Sequence, residues 1–221
     1  MHSLEQLHRG ELAGITRLDL ACDLTEFPEA IFSLADTLEI LNLSGNQLSS
    51  LPADLPRLHK LRVLFCSDNT FTEVPAVLGQ CPQLEMVGFK ANQIRHLPAA
   101  ALPAKLRWLI LTDNQLEQLP EALGQCPRLQ KLMLAGNRLR ELPASLANCH
   151  NLELLRIATN QLDALPQCLM QLPRLSWLAF AGNPFSDREE VLALARHPHP
   201  PIARTQLAIG ELLGQGASGM I

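Results

Sequence analysis

Three glycines near the end of the chain, Gly214, Gly216 and Gly219, stand in the spacing G-x-G-x-x-G. Glycines so placed let backbone N–H groups approach a phosphate closely, because no Cβ stands in the way. The same spacing also opens dinucleotide-binding folds, so by itself it indicates phosphate contact without naming a reaction. The other reactive residue types do not assemble. Histidines at 2, 8, 59, 96, 150, 197 and 199 are scattered along the chain, with none beside a candidate nucleophile. The run His197-Pro198-His199-Pro200-Pro201 reads as a stiff linker rather than a metal tract. The six cysteines contain no C-x-x-C pair of the kind that holds zinc. The expectation is therefore of no catalytic residue, no metal and no cofactor within this chain.

The elements that position these residues are set by a repeat. Asparagines fall at 46, 69, 92, 114, 137, 160 and 183, with gaps of 23, 23, 22, 23, 23 and 23 residues, and Asp23 stands one period upstream. A fixed period in this range implies stacked units that bury their apolar sides against one another. Apolar residues make up 47% of the 221, enough for a continuous core. A net charge of −4 and only 4% aromatic residues exclude the basic, stacking surface of a nucleic-acid binder. Met1-His2-Ser3-Leu4-Glu5-Gln6-Leu7 lacks the basic start and long apolar run of a secretory signal, and no stretch is apolar enough to span a bilayer. Cys81, Cys126 and Cys149 each lie twelve residues after an asparagine, where other units place Leu58 and Leu172, and Cys66 takes the slot of Leu43. Cysteines in leucine columns act as small buried hydrophobes. Together these readings point to a reduced, cytoplasmic setting.

Aligned on the asparagine, the units read L-x-x-L-x-L-x-x-N-x-L-x-x-L-P, clearest in 38–52, 106–120, 129–143 and 152–166. This pattern resembles the leucine-rich repeat family, in its 23-residue intracellular form. The resemblance implies an α/β fold: a horseshoe-shaped solenoid of about eight repeats, with a concave parallel β-sheet and short convex helical turns. The alternating leucines put one set of side chains inward and the other outward. The asparagine amide serves backbone groups at the turn out of the strand, and the proline opens the convex segment. The first unit departs by carrying Asp23 for asparagine and one residue fewer before Phe27-Pro28, and the fourth is one residue short around 99–103. The expected organisation is an N-terminal cap over 1–14, repeats over 15–186, a capping helix over 187–197, a proline-rich linker over 198–204 and the beginning of a further domain over 205–221. Ser3 and Gln6 form a candidate capping box ahead of Leu7 and Leu12. Ser186 with Glu189 marks the start of the back helix, whose Val191, Leu192 and Ala195 are placed to close the last repeat.

Outward strand positions line the inner face. One column reads Arg17, Ile40, Val63, Met86, Trp108, Lys131, Leu154, Trp177, and the next Asp19, Asn42, Phe65, Gly88, Ile110, Met133, Arg156, Ala179. An apolar band carrying both tryptophans of the chain suggests a binding surface for a protein or peptide. The expected contact residues are Val63, Phe65, Met86, Trp108, Ile110, Lys131, Met133, Leu154, Arg156 and Trp177. Lys131 and Arg156, beside Glu153, are expected to fix the register of the partner. No nucleic acid or membrane is expected to bind, and the chain is expected to be a monomer or to self-associate weakly.

The glycine motif is preceded by the strand-like run Thr205-Gln206-Leu207-Ala208-Ile209-Gly210-Glu211-Leu212-Leu213, and Ile221 stands two places beyond Gly219. Together they resemble the glycine-rich loop and first strand of a protein kinase, G-x-G-x-x-G-x-V. By that resemblance Gly214, Gly216 and Gly219 would cover the phosphates of ATP, bound with Mg, and Ile221 would sit beside the base. The family's nucleotide-contacting lysine, catalytic aspartate and metal-binding aspartate would all fall beyond Ile221. The chain then reads as the non-catalytic part of a leucine-rich-repeat protein kinase acting on Ser/Thr or Tyr. The rivals are a stand-alone adaptor or bacterial effector, and a different fused enzyme such as a ubiquitin ligase.

Overall fold

In the computed structural model, residues 2–196 are described (excepting the Cys168 side chain), together with the backbone of 215–216 and 219–220. The expected linker over 198–204 lies outside the described residues. So do Gly214, Ile221 and the side-chain surroundings of Gly216 and Gly219. The chain divides into two units, Met1–Asp187 and Arg188–Ile221.

The first unit is the repeat. Its strands are β1 (Arg17–Asp19), β2 (Ile40–Asn42), β3 (Val63–Phe65), β4 (Met86–Gly88), β5 (Trp108–Ile110), β6 (Lys131–Met133), β7 (Leu154–Arg156) and β8 (Trp177–Ala179). All eight lie parallel in sequence order in one sheet. The register is strict: Trp108 pairs with Lys131 and Lys131 with Leu154, so each column seen in the sequence is a row across the sheet. The middle residue of every strand from β1 to β7 points into the core and is at most 2% exposed.

Between strands the chain returns through 3-10 turns such as Ala76–Gln80, Glu121–Gln125 and Ala144–Asn148. Proline precedes most of them. Pro75, Pro120 and Pro143 hold φ between −61° and −72° with extended ψ, which delivers the chain into the turn. The convex side thus carries single helical turns, as the short spacers require.

The asparagines explain the period. Asn69 accepts from the Leu48 N–H at 2.9 Å and donates to the Leu43 carbonyl at 2.9 Å, both in the preceding unit. Asn92, Asn114, Asn137, Asn160 and Asn183 repeat the arrangement, and all seven asparagines are at most 9% exposed. Each amide therefore ties one turn of the solenoid to the one before, satisfying backbone groups that burial would otherwise orphan. The residue before each asparagine is left-handed, from Gly45 at φ 73° to Gly182 at 72°. Asp68, Ala91, Asp113 and Thr159 adopt this conformation despite their side chains. At Gly136 a Cβ would fall 2.4 Å from Asp113 Oδ1, so the Asp113 carboxylate would have to turn away.

The first unit corrects one expectation. Asp23 does not occupy the asparagine position. It is exposed, has φ 56° and takes the left-handed place instead, with buried Leu24 following at once. The physical reason follows from the clamp: a repeat with no repeat before it has no neighbouring backbone for such an amide to serve.

The Ser3–Gln6 box is present. Helix α1 (Leu4–His8) begins on a reciprocal box: Gln6 N–H donates to Ser3 Oγ at 3.1 Å, and Ser3 N–H to Gln6 Oε1 at 3.0 Å. Leu7 and Leu12 are buried beneath it. At the other end helix α2 (Pro184–Arg196) starts ahead of Ser186. The Ser186 hydroxyl instead bonds both the N–H and the carbonyl of Asn183, so it supports the first turn from within. Pro184 opens the helix because its missing N–H has no partner to lose there. Val191, Leu192 and Ala195 are all exposed, and α2 contains no buried residue.

In the second unit β9 (Gln215–Gly216) and β10 (Gly219–Met220) pair antiparallel, Gly216 opposite Gly219.

Candidate interaction face

Because inward and outward positions alternate, the first and third residues of each strand emerge on the concave side. The ten residues expected to contact a partner all lie there, on six adjacent strands from β3 to β8 and in the rows the alignment gave. Val63, Phe65, Met86, Trp108, Ile110, Lys131, Met133 and Leu154 are half-buried, while Arg156 and Trp177 are exposed, Trp177 to 58%. The strip is therefore a surface rather than a pocket, and most of its members rest against their neighbours.

Two contacts shape it. Gly88 lies under the Phe65 ring: a Cβ at Gly88 would come 2.6 Å from Phe65 Cδ1. The phenyl thus folds along the sheet across the glycine, a placement that neither residue reveals alone. Lys131 carries its ammonium 3.8 Å from the centre of the Trp108 ring, a cation–π contact that holds the lysine stem over the aromatic.

Charge is distributed along the rim. The residue preceding each strand reads Thr16, Glu39, Arg62, Glu85, Arg107, Gln130, Glu153 and Ser176. Arg62 sits between Glu39 at 3.6 Å and Glu85 at 3.2 Å, and Arg107 joins Glu85 at 3.6 Å to Gln130 at 2.9 Å. Reading the sequence for apolar columns missed this ladder. The same alignment, read for alternating sign, shows it. Exposed pairs of this kind contribute little stability; their effect is to neutralise the rim. At the first strand Arg17 forms a two-pronged pair with Asp19, at 2.7 and 2.9 Å. The Arg17 guanidinium, helped by Asn42, holds the Asp19 carboxyl at about 2.

The buried cysteines among the described residues do not suit thiol chemistry. Burial pushes the Cys66 thiol up, and those of Cys81 and Cys149 up to about 11, so each stays protonated and packs as a hydrophobe. Among the described residues no three His, Cys, Asp or Glu side chains are grouped to hold a metal ion.

Residues 127–185 match the family pattern described as leucine rich repeat, and 37–58 and 105–126 match a second pattern of the same description. Over these stretches the chain is similar to leucine-rich repeats. A solved leucine-rich repeat protein of Leptospira interrogans is similar in fold, with a TM-score of 0.60 and 26% identity, over 82% of this chain and 58% of that one. The leucine-rich repeat and WD repeat-containing protein 1 of Xenopus laevis is 38% identical over 85 residues, or 38% of this chain. The probable serine/threonine-protein kinase roco9 of Dictyostelium discoideum is 41% identical over 66 residues, or 29% of this chain. The chain spans only 12% and 2% of the lengths of these two curated relatives. Repeats of this pattern generally serve protein interaction. Among the described residues no helix is long and apolar enough to cross a membrane.

Proposed function

We propose that the concave face is a docking surface for a protein or peptide, centred on Trp108, Ile110 and Met133 and reaching Val63 and Phe65 on one side and Trp177 on the other. The observation that carries this is the half-exposed apolar strip, in register across adjacent strands, on a domain whose net charge is −4. Contiguous apolar surface of this kind marks interaction sites, and aromatic anchors supply most of the energy when they are desolvated. Replacing Trp108 and Met133 together by aspartate is expected to abolish partner binding, with the melting temperature within a few degrees of the parent. A double variant that binds as before would remove the reading.

For the larger protein we propose a cytosolic kinase in which these repeats recruit substrate or regulate activity, with ATP and Mg bound by the kinase part. The G-x-G-x-x-G run at 214–219 supports this, and so does the antiparallel pairing of Gln215–Gly216 with Gly219–Met220. A dinucleotide loop would instead lead into a helix. The similarity to a probable kinase points the same way. Sequencing the coding region past Ile221 tests it. A V-A-x-K lysine followed by H-R-D and D-F-G motifs is expected, whereas a stop codon would leave an interaction module such as an adaptor or effector.

A further inference from the structure

The cations of the concave side differ in one respect. Arg17 is matched by Asp19, Arg62 by Glu39 and Glu85, Arg107 by Glu85, and Lys90 by Asp113 at 3.9 Å. Lys131 and Arg156 are not matched. Among the described residues neither forms an ion pair, and Glu153 on the rim beside them pairs with neither. Lys131 rests on Trp108 instead, and Arg156 is exposed.

Their placement is specific. Lys131 is the first residue of β6 and Arg156 the last of β7, so they lie on a diagonal across neighbouring strands, with Met133 and Leu154 completing the square. Strand spacing and rise put their Cα atoms roughly 8 Å apart. Two side chains of this length can converge on one carboxylate from that distance. The surroundings are apolar, with Trp108, Met133 and Leu154 half-buried around them. A carboxylate brought here by a partner would lose water while gaining an arginine fork and an ammonium, the charge-assisted geometry that rewards a positioned anion. The sheet would read the apolar side chains beside it.

We propose that the segment recognised by this face carries an acidic side chain set between apolar ones, its carboxylate seated on Lys131 and Arg156. This rests on the concave face being the binding surface. An aspartate or glutamate sets the register, and the flanking apolar residues cover Trp108 and Met133 on one side and Leu154 and Trp177 on the other. The ladder of Glu39, Arg62, Glu85 and Arg107 is internally balanced and offers no comparable preference.

The test is selection from a random displayed-peptide library on the immobilised full chain. The same selection is run on Arg156→Glu with Lys131→Glu, and on the Trp108→Asp, Met133→Asp chain as control. Peptides enriched on the parent are expected to share an Asp or Glu flanked by apolar residues. They should bind Arg156→Ala about tenfold more weakly, the loss of one charge-assisted contact, while that variant keeps the parent melting temperature. The charge-reversed chain should select Lys or Arg at the same place. Peptides that depend on Trp108 and Met133 but show no acidic preference would overturn the charge assignment while leaving the docking face intact. Enrichment no greater than on the aspartate control would overturn both.

Discussion

At the N-terminal end of the solenoid, His2 donates its backbone N–H to the Asp19 carbonyl at 3.0 Å, and its ring accepts the Asp19 N–H at 3.2 Å, so the edge of β1 is satisfied. Leu7 and Leu12, under α1, are 3% and 7% exposed. The last repeat is different. Trp177 and Phe180 are 58% and 38% exposed, and Leu178, whose counterparts Leu132 and Leu155 are fully buried, is only partly covered. In a solenoid each unit is stabilised by its neighbours, so a unit lacking one side of that contact is the weakest. The difference teaches that identical leucines in identical columns contribute unequally. The first repeat is completed by α1, whereas in the eighth Trp177 and Phe180 are exposed among the described residues.

The largest way to test this contrast is through the asparagines. Asn46 joins the capped repeat to the second, accepting from the Cys22 and Leu24 N–H groups and donating to the Leu20 and Leu43 carbonyls. Asn46→Leu strands these groups and is expected to cost about 3 kcal/mol in urea unfolding. Asn183→Leu at the far end is expected to cost less, because the unit it secures buries less apolar surface: Leu178 is only partly covered and Trp177 and Phe180 are exposed. Next come the leucines. Leu7→Ala should cost about 2–3 kcal/mol and Leu178→Ala less than half of that, since cavity cost follows burial. The reverse order would break the comparison.

The smallest effect is electrostatic. Asp19 is held at about 2, below its usual 3.8, mainly by the hydrogen bond from Arg17. A lowered carboxylate stabilises the fold above the unfolded value and loses that contribution as pH falls toward 2. Both partners are partly exposed, so the amount is less than about 1 kcal/mol. Asp19→Asn should therefore be slightly less stable than the parent at neutral pH and converge on it only below pH 2. A gap that persists at low pH would show that the pair does not contribute through ionisation.

Much of this was legible in the chain because a repeat states each instruction several times. The leucine columns, the asparagine turns, the prolines before the convex segments and the Ser3–Gln6 box all arise from local rules, and each appears where its rule puts it. The concave columns were legible for the same reason: period-two alternation leaves the outward set no choice of side. What was not legible depends on neighbours in space. Asp23 keeps the asparagine's sequence position but not its role, because that role needs a preceding repeat. Ser186 begins an S-x-x-E pattern, yet its hydroxyl is taken by Asn183 and the helix starts earlier at Pro184. The ring of Phe65 lying on Gly88, the stacking of Lys131 on Trp108 and the Glu–Arg rim ladder join residues about 23 positions apart. They emerge only when the columns are read across the sheet for size and sign.

The central claim, that a partner occupies the concave face, has a built-in reporter. Trp108 and Trp177 are the only two tryptophans and tyrosine is absent, so all strong intrinsic fluorescence originates on that face. The measurement is the emission spectrum of the chain, and of Trp177→Phe, titrated with a tryptophan-free peptide selected on it. A shift to shorter wavelength in both, saturating with binding, is the predicted result, because the partner removes water from Trp108. Saturable binding by calorimetry with unchanged emission in both proteins would place the partner elsewhere and contradict the account.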